Sequence, residues 1–109
     1  MVRDELLRLR ADAQAQAATL ARDLEALFTA SRDSNADDEH DPEGATIGFE
    51  RAQLTALLAA ARERAAEVDD ALRRVDAGTY GVCEGCGRPI AAERLAARPF
   101  ARRCVTCAA

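Results

Sequence analysis

The stretch LTALLAAARERAAEVDDALRRV, residues 54–75, decides the fold. Its seam residues are Leu54, Leu58, Ala61, Ala65, Val68, Leu72 and Val75, with steps alternating between four and three. That spacing is a heptad seam along one side of an α-helix. It closes at Gly78, a natural position just beyond a helix C-terminus. Toward the N-terminus, Val2, Leu6, Leu9, Ala13, Ala17, Leu20, Leu24 and Leu27 form a similar stripe, and no Gly or Pro interrupts residues 1–32. Each seam is narrow and flanked by Arg, Asp, Glu, Gln and Ala, so neither is satisfied alone. The economical arrangement is an antiparallel two-helix coiled-coil hairpin, a rod on the order of 40 Å long at ~1.5 Å rise per residue. The alternative pairs each seam with a second chain.

Composition supports a thin helical object. The chain has 109 residues, 49% of them hydrophobic but only 4% aromatic, and much of the apolar share is alanine. Alanine buries little area, which argues against a thick core and suits close helix contact. No apolar run approaches the roughly 20 residues needed to span a bilayer, and the charged start Met1-Val2-Arg3-Asp4-Glu5 lacks the apolar stretch of a secretory signal. The expected compartment is the cytoplasm, with no membrane partner.

The net charge of −4, from 15 basic and 19 acidic residues, hides a segregation. Every basic residue is arginine. Residues 1–32 are neutral, 33–43 carry −6, 44–82 carry −1, and 83–109 carry +3. The acidic sign argues against a general nucleic-acid binder. Residues 31–40 are polar and turn-prone and form the expected connection. Asp41-Pro42-Glu43 then reads as a helix start, with Asp41 as cap and Pro42 at the first helical position. Gly44 and Gly48 weaken this turn, so a regular helix is expected only near Phe49. Residues 1–78 are thus read as a hairpin with an acidic tip at 33–43, and residues 79–109 as a second, small domain.

Four cysteines define that domain: Cys83-x2-Cys86 and Cys104-x2-Cys107, with 17 residues between the pairs. Two such turns brought together give a tetrahedral S4 set that suits zinc at ~2.3 Å per bond. Gly85 and Gly87 supply the permissive backbone these knuckles need. Four thiolates leave no open coordination position, so one structural zinc ion is expected, with no catalysis. Two disulfides would need an oxidising compartment. A redox pair would need a single Cys-x2-Cys in an α/β setting, and an iron–sulfur cluster fits the symmetrical spacing less well. His40, the one histidine, reads as a solvated loop residue. Phe28, Phe49 and Phe100 read as packing residues at helix ends and under the knuckle.

Taken together, Cys83-Glu84-Gly85-Cys86, Ile90, Arg94, Pro99, Cys104 and Cys107 resemble the signature of the DksA/TraR family of C4-type zinc-finger proteins. The chain resembles a short, actinobacterial-like member. Every fixed position of that signature is met, and Tyr80-Gly81 and Arg98-Pro99 also match. The resemblance implies a transcription regulator that binds bacterial RNA polymerase directly, without DNA contact. The hairpin would enter the secondary channel, with Asp37, Asp38, Asp41 and Glu43 near the active site. It further implies that Arg94 and Arg98 contact polymerase or a nucleotide. Departures are visible. Asp38-Glu39-His40-Asp41 gives the family's D-x2-D, but Glu43 stands where the family has alanine; alternatively Asp41-Pro42 aligns with the family's Asp-Pro, and the second acid is then replaced near Glu43 or Gly44. Ala108 follows the last cysteine where the family has lysine, and Glu67 occupies the matching basic position on helix 2. These replacements argue against co-regulation by guanosine tetraphosphate. Two other readings remain: a nucleic-acid-binding zinc finger using the basic C-terminal segment, and a zinc-stapled coiled-coil adaptor or redox sensor.

Overall fold

A computed structural model describes residues 2–33 and 42–108, with side chains throughout except at 31–33 and 42–45. Two long helices dominate: α1 (Val2–Asp33) and α2 (Pro42–Ala77). Two short ones follow, α3 (Ala92–Ala97) and α4 (Val105–Ala108). Among the described residues there is no strand, only an isolated antiparallel bridge between Val82 and Pro89.

Local sequence explains the helix ends. Asp4 and Glu5 lie in the first turn of α1, where the helix dipole favours acids. The second helix begins at Pro42, whose missing N–H costs nothing at that position. It runs straight through Gly44 and Gly48, contrary to the expectation of a regular helix only from Phe49. Each glycine costs about 1 kcal/mol, too little to stop a 36-residue helix that already has a proline start. At the other end Ala77 is followed by Gly78, at φ +78°.

The chain packs as two compact units, Met1–Arg10 with Ala65–Ala109, and Ala11–Arg64. In the first unit the beginning of α1 lies antiparallel to the end of α2. Arg3 pairs with Asp76, and Arg10 meets Asp69 at 3.2 Å. A step of one heptad forward along α1 is therefore matched by one heptad back along α2. Leu6, Val68, Ala71 and Leu72 form the buried cluster, and Leu7, Leu9, Val75, Tyr80 and Phe100 pack against it. Complete burial of Leu6 and Val68 contributes about 1.5–3 kcal/mol each.

In the second unit the pairing is again antiparallel and within one chain. Arg64 bonds Gln16, and the Arg51 guanidinium lies 5.4 Å from the centre of the Phe28 ring. Ala13, Leu58 and Ala61 are buried there, so small side chains form much of the seam. Every residue of the two sequence stripes is buried or half-buried except Val2, which is 45% exposed at the chain start. The aromatic expectation holds less well. Phe100 packs on the core, but Phe28 is 41% exposed and Phe49 is 74% exposed. Phe49 lies outside the four-three seam, so among the described residues no partner helix covers it.

Candidate metal centre

The first knuckle is a tight turn built on α2's exit. The Ile90 amide donates to the Gly81 carbonyl at 2.7 Å, and the Cys83 amide to the Arg88 carbonyl at 2.8 Å. The Gly87 amide closes the turn on the Cys83 carbonyl at 2.9 Å, with Gly87 at φ +75°, where a side chain would be strained. Gly85 is tightly placed for a different reason. A Cβ placed there would sit 3.0 Å from Cys107 Sγ and 3.1 Å from its Cβ. The bare backbone is what lets the second cysteine pair approach the first.

That second pair is carried by the segment after α3. The Glu84 amide donates to the Arg102 carbonyl at 2.9 Å and so joins the two knuckles. Arg94 Nε donates to the Arg103 carbonyl at 2.7 Å. The Tyr80 hydroxyl donates to the Pro99 carbonyl at 2.6 Å, and burial raises that phenol's pKa.

All four sulfurs, of Cys83, Cys86, Cys104 and Cys107, lie within 4.8 Å of one another, and none is in a disulfide. Four sulfurs each about 2.3 Å from a central zinc stand about 3.8 Å apart. The Cys86 and Cys104 sulfurs are 3.9 Å apart. Cys83 is buried, and its Sγ accepts from the Gly85 and Cys104 amides, both at 3.3 Å. Such N–H···S bonds orient and stabilise a thiolate ligand. Without a cation the thiols cannot all ionise. The Cys104 amide, above all, pulls the Cys83 thiol down to about 6, against its burial. Hydrogen bonds with the Cys83, Cys104 and Cys86 sulfurs then push Cys107 up to about 12. A divalent soft-ligand metal resolves this conflict, and the donor set selects zinc. One structural zinc is held by the four cysteines.

Beside the knuckle, Arg94 and Arg98 line an open cavity of about 590 Å³ with Glu67, Arg102 and Arg103. The structure therefore brings together the two arginines singled out in the sequence. Of the acidic-tip residues, Asp37, Asp38 and Asp41 lie outside the described residues, as does His40. Glu43 falls in the first turn of α2, and its side chain is not described.

Three residues that hold the knuckle were not singled out in the sequence as doing so. Asp70 binds Arg102 at 2.7 Å, Arg74 at 3.1 Å and Arg73 at 3.4 Å. Arg74 reaches the carbonyls of Phe100 and Ala101, both at 3.3 Å. Tyr80 makes the Pro99 bond already described. Burial raises the Asp70 carboxyl, but Arg102 and Arg74 outweigh it and hold the group below 3.8. The i,i+4 spacing of Asp70 and Arg74 is a visible sequence signal. Their partners between residues 100 and 102 are not.

The fold and site define a helical hairpin joined to a four-cysteine zinc knuckle. Residues 78–109 match the prokaryotic dksA/traR C4-type zinc finger. Transcription factor DksA2 of Pseudomonas aeruginosa has a similar structure, with a TM-score of 0.81 and 30% identity, over 98% of this chain and 77% of that one. The RNA polymerase-binding transcription factor DksA of Caulobacter vibrioides is 52% identical over 40 residues, 37% of this chain and 28% of that protein. General stress protein 16O of Bacillus subtilis is 40% identical over 72 residues, 66% of this chain and 44% of that protein. The match thus spans less than half the length of these curated relatives. The chain belongs to the DksA/TraR family.

Proposed function

We propose that this protein is a cytoplasmic transcription regulator that binds RNA polymerase directly and is not an enzyme. The observation that carries the reading is the likeness to DksA2, which extends over 98% of the chain and so includes the helices as well as the knuckle. In this reading the hairpin enters the secondary channel. Asp37, Asp38, Asp41 and Glu43 bring negative charge toward the metal-dependent active site, where unscreened carboxylates perturb the local field. The four-thiolate zinc site has no open position and serves structure alone. Arg94 and Arg98, at the cavity beside the knuckle, contact polymerase. The same lining sets Glu67, which disfavours a polyanion, among four arginines, which favour one, and this reading assigns guanosine tetraphosphate no role.

The test is promoter-specific transcription with purified polymerase, using the protein and a variant with Asp37→Asn, Asp38→Asn, Asp41→Asn and Glu43→Gln. Binding should survive in the variant while the change in promoter output is lost. Unchanged regulation by the neutralised variant refutes the tip mechanism.

A further inference from the structure

The segment that carries the second cysteine pair is held from the side of α2. Arg74 donates from Nη1 to the Ala101 carbonyl and from Nη2 to the Phe100 carbonyl, each at 3.3 Å. Its Nε reaches Asp70 Oδ2 at 3.1 Å. The same oxygen takes Arg102 Nη2 at 2.7 Å. Arg102 is also the residue whose carbonyl accepts the Glu84 amide, one position from Cys83. Two residues further on, the Cys104 amide donates to Cys83 Sγ.

Residues 100–102 are therefore gripped on one side by an acid–arginine pair of α2 and on the other by the first knuckle. The grip is sheltered. The side chains of Arg74 and Asp70 are 12% and 24% exposed, against 49% and 61% for the Arg3–Asp76 pair on the same two helices, while Arg102 closes the network from the outside at 52%. Shelter reduces screening, and three cations converge on one carboxylate, so this network is unlike an isolated surface ion pair.

We infer that Asp70 is a positioning residue for the zinc site: through Arg102 and Arg74 it holds the second cysteine pair at ligating distance from the first. It touches neither the metal nor a cysteine. Loss of the carboxylate leaves Arg102 without its helix anchor and Arg74 without the acceptor that orients its fork toward the carbonyls of Phe100 and Ala101. The second knuckle then opens more often, and zinc escapes faster. This inference does not depend on what the protein binds.

The experiment measures zinc release from the loaded full-length chain to a chromogenic chelator, with far-UV circular dichroism on each protein. Asp70→Asn and Arg102→Gln should each release zinc about tenfold faster, the lower end of what outer partners of metal ligands contribute. The double variant should be no faster than Asp70→Asn alone, because that change already removes the contact that Arg102→Gln breaks. Asp70→Glu keeps the charge and should remain close to the unmodified protein. Asp69→Asn removes the neighbouring interhelix pair with Arg10 and should leave release unchanged. Any of three results overturns the inference: Asp70→Asn releasing zinc at the unmodified rate, Asp69→Asn accelerating release equally, or multiplying effects in the double variant. Should Asp70→Asn fail to fold, the half-exposed Arg102→Gln decides the matter, and an unmodified rate there overturns it as well.

Discussion

Gly85 and Cys107 approach so closely that a single added carbon on Gly85 would press on the sulfur of Cys107 at 3.0 Å. The neighbour is a metal ligand fixed by its site, so it cannot give way without moving a zinc bond. Gly85→Ala should therefore weaken zinc binding about tenfold or more, read by competition with a chelator of known affinity. Unaltered affinity in that variant would show that the second knuckle is loosely placed.

Leu6 is the large α1 side chain buried completely against α2, beside Val68 and Leu72. Leu6→Ala should cost roughly 2–5 kcal/mol of folding stability by lost transfer and the cavity left behind. Phe49→Ala, at a side chain 74% exposed, should change stability by less than about 0.5 kcal/mol. Urea unfolding of the zinc-loaded proteins measures both. Equal effects would contradict the seam described here.

Zinc binding should be pH-dependent in a definite direction. In the metal-free site Cys83 is drawn down to about 6, whereas Cys107 is pushed up to about 12. At neutral pH Cys83 is thus largely ionised, and Cys107 must still give up its proton to become a ligand. Affinity should rise with pH above neutrality, and binding should release protons. For Cys83 alone the folded form favours the thiolate, so its contribution is full above the unfolded value of 9.0 and is lost as pH falls through about 6. Calorimetry in buffers of different ionisation enthalpy detects the released protons. Heats identical across buffers would count against this account.

Chelating the metal should loosen the knuckle and spare the helical seam. Residues 82–104 are held by a few turn hydrogen bonds around the cysteines, whereas Leu58 and Ala61 are buried in helix contacts of the second unit. Hydrogen exchange after zinc removal should speed up at the amides of Cys83, Ile90 and Cys104 while those near Ala61 keep their protection. Uniform loss across both regions would mean that the hairpin depends on the metal.

Much of this architecture was legible in the residues. The four-three spacing of Leu54 through Val75 located the buried seam because a heptad has only one way to face a partner. Two Cys-x2-Cys pairs named the zinc ligands because few other chemistries use that spacing. What stayed hidden were contacts set by tertiary approach. Asp70 is one acid among several on a charged helix, and only the fold brings Arg102 to it. Ala71, fully buried, lies off the counted stripe, in the cluster of Leu6, Val68 and Leu72 against which Tyr80 and Phe100 also pack. Gly48 and Gly44 pointed to a frayed start, but helix length and Pro42 outweighed them.

The central claim is direct association with RNA polymerase, and purified components test it most plainly. The zinc-loaded protein, mixed with core polymerase and no DNA, should co-migrate as a one-to-one complex on size-exclusion chromatography with mass detection. A photocrosslinker in the acidic segment 33–43 should label the polymerase subunits that line its secondary channel. Separate migration of the two proteins, with tight binding to duplex DNA instead, would contradict the account.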